Sequence, residues 1–133
     1  MLEGINILVV EDNILNQKIV NFLLRKENAS IFTAMNGNEA IDLVRNRDFD
    51  IILMDLQMPG MDGFSTARYI RKEIKSDVPI IALTADIFVK ETSNCLDAGM
   101  NACISKPFET NELSALILRL IKERNINSLK ESV

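Results

Sequence analysis

Three apolar runs indicate buried β-strands. They are Ile5–Val10, Ile51–Met54 and Val78–Leu83. None of them alternates polar and apolar residues, which is typical of strands in a parallel sheet that helices cover on both faces. Two weaker runs, Ser30–Ala34 and Ala102–Ser105, are predicted to bring the number of strands to five.

The segments between these runs carry apolar residues three and four positions apart, the spacing of amphipathic helices. Four such stripes lie along the chain: Leu15, Ile19, Phe22 and Leu23; Ala40, Leu43 and Val44; Phe64, Ala67, Ile70 and Ile74; and Leu113, Leu116, Ile117, Leu120 and Ile121. The shortest stripe follows the turn-forming residues Asn36–Asn38. The segment Ile87–Ala98 is the least periodic, although Gly99 after it suits a helix end.

Strands and helices therefore alternate five times along the chain. This order predicts right-handed βαβ units and a doubly wound α/β fold. The chain has 133 residues, of which 47% are apolar and 26% charged, the size and composition of one globular domain. We expect the domain to occupy residues 1–124, followed by a polar and frayed C-terminal tail at residues 125–133.

The composition excludes several kinds of function. The net charge is -4 and histidine is absent, so the commonest general base is missing and binding to nucleic acid or an anionic membrane is not expected. Cys95 and Cys103 form no zinc motif and suit a reduced, cytoplasmic protein. The sequence has neither a signal peptide nor an apolar run of membrane-spanning length.

Chemically active side chains follow four of the predicted strands. Glu11 and Asp12 follow the first strand and Asp55 the third. Thr84 follows the fourth strand, and Lys106 the fifth. Alone, the acids suit a helix cap, the threonine a strand end and the lysine a solvated loop. Together they fall at the carboxyl edge of the sheet, where open α/β folds collect their active groups.

These residue types fit phosphoryl transfer at a metal site. Three neighbouring carboxylates repel one another unless a cation neutralises them, and Mg²⁺ binds one or two carboxylates together with phosphate oxygens and water. One carboxylate can act as a nucleophile and form an aspartyl phosphate. The developing negative charge then needs Mg²⁺, the Lys106 ammonium and the Thr84 hydroxyl as partners.

Four segments closely resemble the motifs of response-regulator receiver domains, in the right order and with sensible spacing. They are Val9–Asn13, Leu53–Gly63, Ala82–Ala85 and Ser105–Phe108. The resemblance covers about Ile5 to Lys122, nearly the whole chain. It implies a flavodoxin-like (βα)5 fold with a five-stranded parallel sheet in the order 2-1-3-4-5.

The resemblance also implies the metal site. Asp12 and Asp55 would ligate Mg²⁺ through their carboxylates, and Gln57 through its backbone carbonyl. Glu11 would hold a metal-bound water. Asp55 would be the phosphoacceptor.

For the phosphoryl group, the resemblance implies two further partners on the protein. Lys106 would pair with the phosphoryl oxygens, with a cis peptide bond between Lys106 and Pro107 placing the lysine. Thr84 would move to bind the phosphoryl group and so report phosphorylation. The donor would be a phosphohistidine on a histidine kinase or phosphotransfer protein, and acetyl phosphate often serves as well. Such a domain promotes only its own phosphorylation and dephosphorylation and is not an enzyme. The resemblance also implies that copies can pair through the fourth helix, fifth strand and fifth helix.

The sequence departs from the family pattern at one position and is variable at others. Cys103 stands where a switch aromatic is usual, which puts a coupled threonine–aromatic swing in doubt. Gln57 and Asp86 occupy positions that tune the lifetime of the phosphoryl group. The runs Glu11–Gln17 and Ala98–Asn101 look most like the receivers of hybrid histidine kinases.

Two other functions compete with this one. A phosphorylation-independent docking module of the same fold would be favoured if a strand-end residue were lost, and none is. An enzyme of the haloacid dehalogenase type would need a second aspartate two residues after the nucleophile, where Gln57 stands. In the intervening loop, Asp62 and Gly63 are interpreted as turn and helix-start residues, and Met58 and Met61 as packing residues.

Overall fold

Five strands alternate with five helices in the computed structural model, which describes residues 1–85 and 89–131. The strands are β1 (Asn6–Val10), β2 (Ser30–Ala34), β3 (Ile51–Asp55), β4 (Ile80–Thr84) and β5 (Ala102–Ser105). The helices are α1 (Ile14–Arg25), α2 (Gly37–Asn46), α3 (Gly63–Tyr69, continued by a π-helical turn at Ile70–Ile74), α4 (Val89–Asp97) and α5 (Thr110–Glu131). None of the helices in these ranges is long and apolar enough to cross a membrane.

All five predicted strands are present, with ends that differ by at most two residues. They form one parallel sheet in the order β2-β1-β3-β4-β5, which confirms the expected doubly wound topology. The order reverses between β1 and β3, so the helices that follow these two strands lie on opposite faces. A cleft therefore opens at the carboxyl ends of β1 and β3.

Two apolar cores sandwich the sheet, because successive strand side chains point to opposite faces. One core joins α2, α3 and α4 to the sheet through residues that include Ala40, Ala67, Ile70, Cys95, Leu8, Ile52 and Ile80. The other joins α1 and α5 to it through residues that include Val20, Leu24, Leu113, Ile117, Leu120, Ile7, Leu53 and Ile81. Burial on both faces explains why the three central strands show no polar alternation.

The apolar stripe predicted on α1 does not face the core. Leu15, Ile19 and Phe22 are 67%, 50% and 59% exposed, whereas Val20 and Leu24 are buried. Helical spacing identifies residues that share a face, but it does not tell which of two apolar faces the sheet will cover. Here the sheet covers the smaller one, and α1 presents a large apolar surface to solvent.

Two helix ends also differ from expectation. The helix α5 continues to Glu131, through the segment that was expected to be a frayed tail, with Ile126 and Leu129 exposed. In α3 the predicted stripe is confirmed, because Ala67 and Ile70 are buried and Phe64 and Ile74 pack against the same core. From Ile70 the backbone widens into the π-helical turn, which is followed by Lys75, whose φ is 60°. Neither feature has a local sequence signal as clear as a proline or an N-cap residue.

Arg71 explains how this turn is held. Its guanidinium donates to the carbonyls of Gly99 at 2.8 Å, Ser76 at 2.9 Å and Val78 at 2.7 Å, and to Asn101 Oδ1 at 2.9 Å. The loops before β4 and β5 are thus tied to the end of α3. Gly99 has a φ of +92°, and a Cβ there would lie 2.7 Å from Arg71 Cγ. The glycine that was predicted to end the helix therefore also lets the Arg71 side chain pack closely against the backbone.

We expect Gly99→Ala to lower the free energy of unfolding by about 2–3 kcal/mol. The change adds a steric conflict with the fixed Arg71 to the strain of a positive φ. Gly4→Ala is the matched control, since its φ is +75° but nothing lies within 4 Å of the added Cβ; it should cost only about 1 kcal/mol. Urea denaturation measures both, and equal losses would contradict the role of Arg71.

Candidate functional site

The carboxyl ends of four strands meet at one cavity. Strand register accounts for this, because Val10 pairs with Met54 and Thr84 pairs with Ser105, so the next residues of each strand end at the same level. The cavity has a volume of about 340 Å³. It is lined by Glu11, Asp12, Asn13, Asn16, Asp55, Gln57, Thr84, Ala85 and Lys106. All six residues predicted for the site are therefore brought together.

Three carboxylates crowd one side of this cavity. One oxygen from each of Glu11, Asp12 and Asp55 can be chosen such that all lie within 4.8 Å of one another. Glu11 is 1% exposed and Asp55 is 9% exposed, so water screens their repulsion poorly. Hard oxygen ligands at this spacing suit Mg²⁺, which takes few protein carboxylates and keeps several waters. The donor set therefore fits a magnesium ion.

The burial of Asp55 and the charges around it change the pKa of its carboxyl group. Burial is the largest cause and raises its pKa from 3.8 to about 6. The Lys106 ammonium and the Gln57 N–H lower this pKa, while the Glu11 and Asp12 charges raise it. In the absence of a cation the site thus opposes the charged form of the carboxylate that is predicted to be the nucleophile.

Lys106 supplies positive charge inside the cavity. Its Nζ lies 3.0 Å from Glu11 Oε2 and 3.9 Å from Asp55 Oδ1. The expected cis peptide bond to Pro107 is present, and the Lys106 N–H donates to the Thr84 carbonyl at 2.8 Å. The lysine is therefore a bridge between two carboxylates rather than the solvated loop residue of the alternative interpretation.

The backbone around Asp55 is fixed from two directions. The Gln57 N–H donates to Asp55 Oδ1 at 3.3 Å. The start of α3 packs directly on the end of β3, and a Cβ on Gly63 would lie 2.5 Å from the Asp55 carbonyl oxygen. Asp62 caps α3 by accepting from the Ser65 N–H at 2.8 Å. The interpretation of Asp62 and Gly63 as turn and helix-start residues is confirmed.

The helix-cap interpretation of Glu11 and Asp12 is wrong. The N-cap of α1 is Asn13, whose Oδ1 accepts from the Asn16 N–H at 2.9 Å. Glu11 instead accepts from the Asn13 N–H at 3.2 Å and from Lys106. The two acids are thus left for the cavity, and an asparagine takes the capping role that asparagine commonly fills.

The remaining residues that the sequence singled out lie at the cavity, in the core or outside the described residues. Thr84 is 8% exposed at the cavity, and Met58 is 8% exposed and packs in the core, as predicted. Cys103 is half-buried, pairs with Ala82 across the sheet and packs against the core on the α2, α3 and α4 side. The variable position Asp86 lies outside the described residues.

Two residues of α1 were not predicted to belong to the site. Asn16 lines the cavity. Gln17 donates through its side-chain amide to the Glu11 carbonyl at 3.3 Å and to the Ala34 carbonyl at 3.5 Å, which ties α1 to the ends of β1 and β2. Both residues belong to the run Glu11–Gln17, so the resemblance of that run to known receivers was the sequence feature that could have identified them.

A second, apolar groove of about 320 Å³ adjoins the cavity. It lies between α1 and the segment before α5 and is lined by Asn16, Ile19, Val20, Leu23, Lys106, Pro107 and Phe108. Asn16 and Lys106 line both spaces. The exposed apolar surface of α1 is therefore continuous with the entrance to the acidic cavity.

This combination defines a class of protein: a doubly wound α/β domain with an acidic, lysine-bridged site at its switch point. The family model of the response regulator receiver domain matches residues 7–118. The chain belongs to this family of two-component signalling domains.

Individual relatives agree with the family. The chain is 39% identical over 129 residues to hybrid signal transduction histidine kinase B of Dictyostelium discoideum, covering 88% of this chain but only 6% of the kinase. The receiver domain of sensor histidine kinase PA1611 from Pseudomonas aeruginosa, solved with magnesium in its active site cleft, is 40% identical with a TM-score of 0.82 and coverage of 90% and 98%.

A third relative was solved with a partner. It comes from the co-crystal structure of the Saccharomyces cerevisiae histidine phosphotransfer protein Ypd1 and the receiver domain of Ssk1. Identity is 34% with a TM-score of 0.81, and 88% of each chain is covered.

The raised pKa of Asp55 predicts an unusual pH dependence. Without metal, the native state keeps this proton between about pH 3.8 and 6, where the unfolded chain has lost it. The group therefore costs stability that is fully present at pH 7 and vanishes as pH falls from about 6 towards 3.8. We expect Asp55→Asn to raise the free energy of unfolding by about 1–2 kcal/mol at pH 7.5, after allowance for solvent screening, and by nearly nothing at pH 4.

The measurement is urea denaturation in chelator across this pH range. Asp48→Asn, which changes an exposed acid, is the matched control and should leave stability unchanged at every pH. A constant difference between wild type and Asp55→Asn would contradict the electrostatic explanation.

Proposed function

We propose that this domain accepts a phosphoryl group on Asp55 from a phosphohistidine donor, with Mg²⁺, and signals through its changed surface. The observation that carries the proposal is the buried Asp55 carboxylate, within 4.8 Å of two further carboxylates and 3.9 Å from a lysine ammonium. A nucleophile, a cation site and a phosphate partner are thus combined in one cavity. We assign this function to residues 1–124.

In the transfer step, an Asp55 carboxylate oxygen forms a bond to phosphorus as the phosphorus–nitrogen bond of the phosphohistidine breaks. The electron pair of that bond stays on the leaving imidazole nitrogen. Asp55 must be ionised to attack, and its pKa of about 6 leaves it mostly charged at neutral pH even before a cation binds. The Gln57 N–H at 3.3 Å helps to hold the carboxylate in place.

The metal would be held by residues already in position. Asp12 and Asp55 offer carboxylates, Gln57 its backbone carbonyl and Glu11 a water-mediated contact. When bound, Mg²⁺ neutralises the carboxylates and the charge that develops on the transferred phosphoryl oxygens. The magnesium in the cleft of the Pseudomonas receiver supports this assignment.

Phosphorylation would redistribute the contacts of Lys106 and Thr84. The phosphoryl group adds about -1.5 to -2 charges, which compete with Glu11 for the ammonium that now lies 3.0 Å from it. The Thr84 hydroxyl would turn to donate to a phosphoryl oxygen. Because Cys103 is not aromatic, the movement of Thr84 would be transmitted without the swing of an aromatic ring.

The domain would also promote its own dephosphorylation. Copies of the domain would pair through α4, β5 and α5, where Leu96 is 58% exposed.

The donor would be a histidine kinase or phosphotransfer protein docked on α1. Leu15, Ile19 and Phe22 form an exposed apolar surface that merges with the groove beside Phe108. Exposed apolar patches of this kind mark protein interfaces. A partner seated there would hold its histidine at the mouth of the cavity. The solved complex of Ypd1 with a related receiver supports this partner class. The same surface would also serve a pure docking module, so the chemistry needs its own test.

We expect incubation with acetyl phosphate and Mg²⁺ to add one phosphoryl mass to the intact protein. Asp55→Asn, or chelation of Mg²⁺, should abolish the gain because the nucleophile or the neutralising charge is lost. Lys106→Ala should reduce it at least tenfold, in line with the loss of one charged transition-state partner. Asp48→Asn is the control and should be labelled like wild type.

Fast hydrolysis can hide labelling, so beryllofluoride is the second arm. With Mg²⁺ it should raise the melting temperature of wild type but not of Asp55→Asn, since only a native site binds it. A protein that is neither labelled nor stabilised would be a docking module and not a phosphoacceptor.

A further inference from the structure

The exposed face of α1 differs in charge from the rest of the chain. The whole chain carries a net charge of -4. From Ile14 to Lys26, however, the sequence contains Lys18, Arg25 and Lys26 and no acidic residue. All three cations are exposed. The apolar docking surface therefore lies on a locally basic helix of an acidic protein.

The cations lie beside the apolar residues rather than on a separate face. Lys18 and Arg25 are seven residues apart, so they share one side of the helix next to Phe22. Lys26 Nζ lies 4.6 Å from the centre of the Phe22 ring. On the other side, Ile19 borders the groove that leads to Phe108. The surface thus has an apolar centre with a basic rim, which Lys18 and Arg25 form along one edge and Lys26 at the C-terminal end of the helix.

None of these three cations forms an ion pair with a described side chain. Across the side chains of residues 1–85 and 92–130, the ion pairs between charged side chains involve other groups. Elsewhere on the surface, long basic side chains do find partners, as Arg124 does with Asp77 at 2.8 Å and Arg119 with Glu123 at 3.6 Å. The charge on α1 is therefore available to a partner.

We propose that the protein that docks on α1 presents an apolar surface that is flanked by carboxylates. The inference rests on the proposed function, since it describes the phosphohistidine donor of the same site. Complementary rim charges raise the association rate and reject partners of the wrong sign more than they add affinity. A second copy of this chain does not fit, because a two-fold pairing of α1 would bring two sets of three cations together.

The test uses two helical peptides of about 20 residues, long enough to form helix in solution. Both carry the same leucine stripe, flanked by glutamates in one and by lysines in the other. Each peptide is titrated into the isotope-labelled protein and followed by NMR. The glutamate peptide should bind at α1 and Phe108 at least tenfold more tightly than the lysine peptide. This preference should shrink as salt is raised from 20 to 300 mM, conditions that bracket the screening of exposed charges.

Variants assign the preference to the helix. Lys18→Glu, Arg25→Glu and Lys26→Glu combined should reverse it, and glutamine at the same three positions should abolish it. The matched control combines Arg68→Glu, Lys72→Glu and Lys122→Glu, which are exposed positions on other elements. It has the same net charge as the first variant and should keep the wild-type preference.

Three other outcomes would overturn the proposal. Equal binding of the two peptides would show that the rim has no role, and a loss of preference in the control would assign it to net charge. A dimer in sedimentation velocity that Leu15→Ser dissociates would make a second copy the occupant. Acetyl phosphate labelling of the α1 variants reports separately on Asp55: a protein that is not labelled but selects the glutamate peptide would refute the proposed function and keep the docking chemistry.

Discussion

The structure depends on keeping three carboxylates close together at the poorly hydrated end of a parallel sheet. Because β1 and β3 are buried on both faces, Glu11 and Asp55 emerge beneath the surface and not on it. Lys106 offsets part of their repulsion, because its Nζ lies 3.0 Å from Glu11 Oε2 and 3.9 Å from Asp55 Oδ1. Without a cation the site still opposes the charged form of Asp55; in the proposed function, Mg²⁺ would supply the missing charge compensation.

The register of the parallel strands places the site residues close together, and few other contacts are needed to position them. The four strand ends are level because each parallel pair is aligned without a bulge. The last residues of β3 and β4 and the first residues after β1 and β5 therefore line the cavity. Close packing at Gly63 then presses α3 against the end of β3. Hydrogen bonds from Gln17 fasten α1 to the ends of β1 and β2. The loops are thus short and supported, and the site needs no separate scaffold.

The sequence was sufficient to predict the features that depend on local pattern. Buried strands lack polar alternation, and strand-end residues in a doubly wound fold have one place to go, so Asp55 and Lys106 could be placed before the structure was known. The face of α1 could not, because Leu15 and Val20 are equally apolar and only the sheet decides between them. The π-helical turn also depends on tertiary contacts, namely the four hydrogen bonds of Arg71.

The acidic cavity and the basic rim of α1 have opposite charge, and this difference would affect how the proposed donor is recognised. In the proposed function, the phosphohistidine of the donor would bring negative charge towards a cavity that holds three carboxylates and one ammonium, so electrostatic attraction at the point of transfer would be weak until a cation binds. The basic rim of α1 would supply attraction elsewhere on the docking surface. The apolar groove, which shares Asn16 and Lys106 with the cavity, lies next to this surface. A partner would then be selected by its carboxylates at α1, while the transfer of its phosphoryl group would depend on the metal in the cavity.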